Sequence, residues 1–197
     1  MYIKHIELKN FRNYEYLDLS FDKSINFIIG NNAQGKTNLI ESVFMSSIGK
    51  SFRTSKDSEM IRFDKEFCTI KTVAQKEFSE TEVEIIKKDS GKFIKVDGIN
   101  TVRTSDILDN IYIVVFSPED LRIVKDEPEK RRKFIDRELS IIRPSYYDAL
   151  INYKKVLMQR NMYLKEKKID FSVLDIWNMQ LVKYGSKIIS MREDFVK

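Results

Sequence analysis

The chain has 197 residues and a formal charge of +5, enough length for one sizeable domain or for a domain with an appended helical lobe. That mildly basic balance permits a polyanionic partner without demanding one. A single cysteine, Cys68, excludes a disulfide framework and a cysteine-based metal site, and a single histidine, His5, argues against a histidine triad or zinc cluster. No signal peptide and no apolar run of membrane length is present, so a soluble cytoplasmic protein with no membrane partner is expected.

The chain opens on strand signals. Ile6 and Leu8 alternate with polar residues, as do Leu17, Leu19 and Phe21, and Asn13 falls in the turn between them. Residues 25–29 (Ile-Asn-Phe-Ile-Ile) form an apolar run that predicts a buried strand. Gly30-Asn31-Asn32-Ala33-Gln34-Gly35-Lys36-Thr37 then fills the P-loop pattern G-x-x-x-x-G-K-[ST] without a gap. Asn38-Leu39-Ile40-Glu41-Ser42-Val43-Phe44 follows with helical character. Strand, glycine-rich turn and helix is the context that makes the pattern a site. A second Gly-Lys-Ser, at residues 49–51, lacks the required upstream glycine because Phe44 stands there.

The chemistry of the loop follows from charge density. A triphosphate packs several negative charges into a small volume. A glycine-rich turn lets successive backbone N–H groups face those oxygens, and the following helix adds its unpaired N–H groups and the positive end of its dipole. Lys36 would reach the β- and γ-phosphates, and the Thr37 hydroxyl would hold Mg²⁺. A nucleoside triphosphate with Mg²⁺ is thus the expected ligand of residues 30–38.

Residues 53–65 read as a polar, irregular loop over one edge of the site. Strand signals return over residues 67–73, 81–87 and 92–96, with hairpin turns at Ser90-Gly91 and Asp97-Gly98. This stretch predicts an antiparallel β layer. Residues 111–116 predict a second buried strand, running into Ser117-Pro118-Glu119-Asp120, a well-formed helix start. Beyond residue 125 the chain turns charged and helical. Ser145 and Ser172 each precede an acid by three residues and predict helix starts. Tyr146, Leu150, Tyr153 and Leu157 share one helical face, and Leu174, Trp177, Leu181, Tyr184 and Ile188 another. The short polar link at residues 165–170 predicts an antiparallel helical hairpin. The expected division is therefore a nucleotide-binding lobe at residues 1–125 and a helical lobe at residues 126–197.

Two things a P-loop hydrolase needs are not found. No apolar strand ends in the Asp-Glu that would orient water and Mg²⁺, and no Leu-Ser-x-Gly-Gln signature occurs. On its own chemistry the chain is the nucleotide-cradling half of a machine, or a binder that does not hydrolyse.

Several stretches together carry a resemblance. Asn10-Phe11-Arg12-Asn13-Tyr14, the P-loop continued through Glu41, Gly49-Lys50-Ser51-Phe52-Arg53-Thr54, Phe116-Ser117-Pro118-Glu119-Asp120-Leu121, Arg131-Arg132-Lys133-Phe134-Ile135-Asp136 and residues 153–161 resemble the RecF family of bacterial recombination mediators. Members of that family are considerably longer and carry their signature and Walker B motifs in the C-terminal half, so the chain resembles an N-terminal portion. The resemblance implies an α/β fold: a P-loop NTPase of ABC-ATPase-head type with an antiparallel β layer, plus an α-helical hairpin lobe. It implies ATP sandwiched between two subunits of a homodimer, each P-loop facing the other subunit's signature motif. It implies binding of single-stranded and gapped DNA, and cooperation with RecO and RecR to load RecA in gap repair, replication restart and the SOS response. It implies that Arg12 reaches the nucleotide phosphates, that Arg53 and Thr54 lie near the base or ribose, and that Glu119 or Asp120 occupies the place of the Q-loop glutamine.

Lys130, Arg131, Arg132 and Lys133 form the densest basic cluster and would supply DNA phosphate contacts. The competing reading is a solvated helix face partnered by Glu127, Glu129, Asp136 and Glu138. Lys165, Lys167 and Lys168 form a weaker second patch. Two alternatives to the RecF-type reading stand beside it: a nucleotide-binding interaction module without hydrolysis, and a transporter-type ABC ATPase head.

Overall fold

Period-two alternation builds a sheet with one covered face. The computed structural model describes every residue except 55, 102–103, 117–126 and 167–169, and for 104–105 the backbone alone. Two compact units emerge, Met1–Val115 and Phe116–Lys197. In the first, β1 (Tyr2–Phe11), β2 (Tyr14–Ser20), β3 (Phe67–Gln75), β4 (Glu80–Lys88), β5 (Gly91–Val96) and β6 (Ile99–Asn100) form a six-stranded sheet in the order β2-β1-β3-β4-β5-β6. Every pairing is antiparallel. Ile6 stands opposite Thr72 and Leu8 opposite Ile70, which in turn face Val83 and Ile85 across β4. All six are buried, and a one-residue slip would turn them all to solvent. Helix α1 (Lys36–Ile48) covers this face, and a 2.6 Å hydrogen bond joins Ser46 Oγ to Thr72 Oγ1. The β5–β6 turn sets Asp97 and Gly98 at φ 50° and 79°, the left-handed pair that a two-residue hairpin requires.

Two expected strands are not strands. Residues 25–29 and 111–116 carry no strand structure, and Phe27, Ile29, Val114 and Phe116 are exposed. An apolar run becomes a strand buried on both faces only when neighbouring strands supply its ladder and other elements cover it. Among the described residues no strand pairs with either segment. Ile111 alone of the second run is buried.

The second unit contains α2 (Pro128–Ile142), α3 (Pro144–Tyr163) and α4 (Phe171–Val196). α3 and α4 are antiparallel. Tyr163 meets Trp177 edge-on at 4.9 Å, Arg160 Nε donates to Asn178 Oδ1 at 2.9 Å, and Tyr146 lies against Arg192 at the far end. α2 joins this hairpin as a third helix, with Leu139 packed among Tyr146, Ala149, Leu150 and Ile188. The starts fall next to the expected serines. Pro144 takes the first position of α3, where its missing N–H costs nothing, and Asp170 caps α4 by accepting from the Ser172 N–H at 2.9 Å. The helix start at residues 117–120, the division near residue 125, and Lys167 and Lys168 fall outside the described residues.

One polar staple ties the three helices. Tyr146 donates its hydroxyl hydrogen to Asp136, and Arg192 donates to Asp136 Oδ1 from Nη2 at 2.6 Å and from Nε at 3.0 Å. Burial, with the bond to Asp136, pushes the Tyr146 phenol up to about 12. The fold holds the neutral phenol, so this stability is complete below the unfolded value near pH 10 and is lost as pH rises toward 12. The unfolding free energy from urea titration should therefore fall by roughly 1–2 kcal/mol across that window, and Tyr146→Phe should remove most of the fall. Parallel pH profiles for the native and Tyr146→Phe proteins would overturn the assignment.

Candidate nucleotide-binding site

The N-terminus of α1 is left open by its own sequence. Gly35 occupies the cap position at φ 102°, with no side-chain cap and no acidic residue in the first helical turn. Ala33 also lies in the left-handed region, at φ 64°. Alternation of left- and right-handed residues turns successive N–H groups to one side and makes an anion-binding concavity. Lys36 Nζ reaches back across the turn and donates to the carbonyls of Gly30 and Asn31, each at 2.7 Å. The Thr37 hydroxyl is exposed and has no protein partner among the described residues. A polar cleft of about 300 Å³ is lined by Asn32, Ala33, Gly35, Lys36, Thr37, Asn38 and Arg53.

The β1–β2 turn closes on this loop from the other side. Tyr14 donates its hydroxyl to the Gly35 carbonyl at 3.1 Å, and Asn38 Nδ2 donates to Asn13 Oδ1 at 2.7 Å. A Cβ on Gly35 would stand 2.7 Å from Asn13 Nδ2 and 2.9 Å from the Tyr14 hydroxyl. The third glycine-like demand comes at the end of α1, where Gly49 at φ 71° donates its N–H to the Met45 carbonyl.

Behind the cleft lies a carboxylate to which the sequence alone assigns no role. Glu41 is fully buried on α1. Arg12 grips it with two bonds, Nη2 to Oε1 at 2.6 Å and Nε to Oε2 at 3.1 Å, and places Nη1 on the Glu59 carbonyl at 2.6 Å. Ser51 Oγ donates to Oε1 at 2.5 Å, and Arg53 Nη1 donates to Oε2 at 3.2 Å and to Asn38 Oδ1 at 2.6 Å. Arg12 holds a left-handed φ of 54°, and its N–H donates to the Met60 carbonyl at 2.8 Å. Any reach of Arg12 toward phosphate therefore competes with a bidentate ion pair.

The structure thus gathers residues 30–38 and Arg53 around one cleft, with Arg12 one layer behind. Thr54 is fixed by its N–H on Ser51 Oγ at 3.2 Å and is not a lining residue. Asn13, Tyr14, Glu41 and Ser51 are additions. Their signal in sequence is a charged residue at a core-facing position of α1, which calls for partners without naming them. Among the described residues no group of three or more His, Cys, Asp or Glu could hold a metal ion. Thr37 suits Mg²⁺ as it is held elsewhere, by one hydroxyl and the phosphates of its nucleotide.

In the helical unit, Lys130, Arg131, Arg132 and Lys133 are all exposed on the first turns of α2. Lys133 pairs with Glu129 at 2.8 Å and holds that carboxyl below its usual range. Lys165 is exposed at the end of α3.

A P-loop at the head of α1, on an antiparallel layer, in a chain that also carries a helical unit, defines an α/β ATPase head of the ABC type. The chain belongs to the RecF/RecN/SMC N terminal domain family, which residues 2–115 match, and within it to the RecF proteins. It is 45% identical over 197 residues to the DNA replication and repair protein RecF of Clostridioides difficile (strain 630), an alignment covering 100% of this chain and 53% of the relative. Solved structures of the recombination mediator protein RecF-ATPrS and RecF-ATP in the RecFOR pathway superpose with TM-scores of 0.93 and 0.92. Both are 39% identical to it, and each match covers 99% of this chain and 54% of the other. The chain spans about half the length of the curated relatives it matches. No described helix is long and apolar enough to cross a membrane.

Gly35→Ala should show how tightly the loop is enclosed. Its left-handed φ and the contacts below 3 Å to Asn13 and Tyr14 predict a loss of roughly 1–3 kcal/mol in stability and weaker binding of Mg-ATP. Unchanged melting and unchanged titration would mean the turn is not closed by the first hairpin.

Proposed function

We propose that the chain is the nucleotide-binding portion of a RecF-type DNA repair protein, binding ATP with Mg²⁺ and contacting single-stranded and gapped DNA. One observation carries the reading: the uncapped, acid-free N-terminus of α1 converges with Lys36, Thr37 and Arg53 on one polar cleft. The relatives support it, since two of the solved neighbours are RecF with ATP or ATPrS.

The backbone of residues 30–38 would cradle the β- and γ-phosphates, with Lys36 exchanging loop carbonyls for phosphate oxygens. Mg²⁺ would bridge the same oxygens to Thr37 and neutralise their charge. Arg53 adds a fork-shaped cation on the cleft wall, and Arg12 adds charge from behind Glu41. In the full-length protein, a second subunit's signature motif would close over the nucleotide and make ATP the adhesive of a homodimer around DNA. RecO and RecR would be its partners in loading recombinase during gap repair and the SOS response, in the cytoplasm. Residues 25–29 and 111–116 fit this reading, because both expose apolar runs suited to a sheet completed by the remaining half of the head. With no Walker B acid in its sequence, the chain should bind ATP and ADP with little turnover.

Titration of Mg-ATP into the chain should show binding that Lys36→Ala weakens at least about tenfold, a hydrogen-bonded charge being worth roughly 1.5–3 kcal/mol. Equal affinity in both proteins would overturn the site.

DNA contact is tested separately. Gapped DNA should bind more weakly as salt rises, and neutralising Arg131 and Arg132 should flatten the salt slope by about one to two counterions. An unchanged slope would remove the basic face of α2 from the interface.

A further inference from the structure

Two guanidinium groups and one hydroxyl converge on a single buried carboxylate, and only one of the three reaches the cleft. Arg12 places Nε, Nη1 and Nη2 on protein oxygens. Arg53 engages Nη1 alone among the described residues, which leaves Nε and Nη2 for a ligand. Arg53 also lines the cleft, with its side chain 43% exposed against 15% for Arg12.

We infer that Glu41 is a positioning residue for the nucleotide. It touches no ligand, but it aims Arg53 into the cleft. It does so twice. Oε2 accepts from Arg53 Nη1, and Oε1 holds Ser51 Oγ, which in turn accepts the Arg53 N–H at 2.9 Å. The carboxylate therefore fixes both the tip of Arg53 and the backbone from which it springs. Without that hold, a long side chain anchored only on Asn38 Oδ1 would have to be ordered again at each binding event, and affinity would drop. Glu41 also binds Arg12, so it ties the cleft wall to the β1–β2 turn that closes on Gly35. The inference rests on the ATP reading above.

The test is a double-mutant cycle on Mg-ATP affinity, read by calorimetry on the whole chain. Arg53→Ala should weaken binding about tenfold and Glu41→Gln about fivefold, while the double variant should bind no more weakly than Arg53→Ala alone. A carboxylate that merely stabilised the fold would give losses that multiply. Should Glu41→Gln fail to fold, Ser51→Ala replaces it. That variant keeps the ion pairs and should weaken binding about two- to fivefold in the native background and not at all in the Arg53→Ala background. Multiplying losses, or no loss in the Glu41 or Ser51 variant, overturns the inference. Native and Lys36→Ala titrations separate the two claims. Absence of native binding ends the ATP reading itself, whereas binding that depends on Lys36 but not on Glu41 or Ser51 ends only this one.

Discussion

A carboxylate with no exposure to water must be neutralised where it stands, and Glu41 sets that requirement inside the helix that carries the phosphate loop. Removing one partner from a buried pair of this kind typically costs about 3–5 kcal/mol, because the remaining charge is stranded. The chain meets the demand by bringing three separate segments to one point: the end of β1 through Arg12, the turn after α1 through Ser51, and the loop beyond through Arg53. Each is then committed. Arg12 adopts a left-handed backbone, a conformation that carries strain for a side chain of its size, and it is held there by its own N–H on the Met60 carbonyl and by the Arg62 N–H on the carbonyl of Asn10, two residues earlier. The first hairpin is thereby pinned to α1, and with it Asn13 and Tyr14 against Gly35. The shape of the loop is a consequence of charge burial one layer beneath it.

Local signals were legible in the sequence and pairwise ones were not. Alternation gave β1 through β5, because the period of two needs only one covered face, and α1 provides it. Eight residues in register announced the P-loop, since its chemistry is carried by consecutive amides and two side chains. The Arg12–Glu41 pair spans 29 positions and the Glu41–Arg53 pair 12, and nothing in either residue's neighbourhood specifies the other. Glu41 could be marked as a charge on a buried helical face, but its partners could not be chosen from 35 lysines and arginines.

The two apolar runs show the converse limit. Residues 25–29 and 111–116 have the composition of buried strands, and composition is a statement about what a segment can bury rather than what is there to bury it. The sheet terminates at β2 and β6 without them. Helix starts failed more gently. Ser145 and Ser172 each satisfy a capping pattern, yet Pro144 and Asp170 lie one and two residues earlier and do the same work at lower cost. A proline pre-set for the first helical position and a carboxylate that outcompetes a hydroxyl for N–H groups win those contests locally.

The same comparison explains why, among the described α-helices, the start of α1 is the one suited to an outside anion. α2 opens with Pro128 and Glu129, so its dipole already meets a carboxylate and one amide hydrogen is missing. α4 donates its first-turn N–H to Asp170, and the Asp170 carboxyl is held below its usual range by Ser172. α3 begins with Pro144 and buries Tyr146 and Tyr147 in its first turn. α1 has none of these devices. Its cap is a glycine, its first turn holds Lys36, Thr37 and Asn38, and its nearest acid, Glu41, faces inward and is already matched by two guanidinium groups. With Arg12, Arg53 and Lys36 set against Glu41 and the half-exposed Glu59, whose Oε2 lies 4.0 Å from Arg12, the end of this helix carries an unbalanced positive field. A polyphosphate is the kind of ligand that would supply the compensating charge the protein itself withholds.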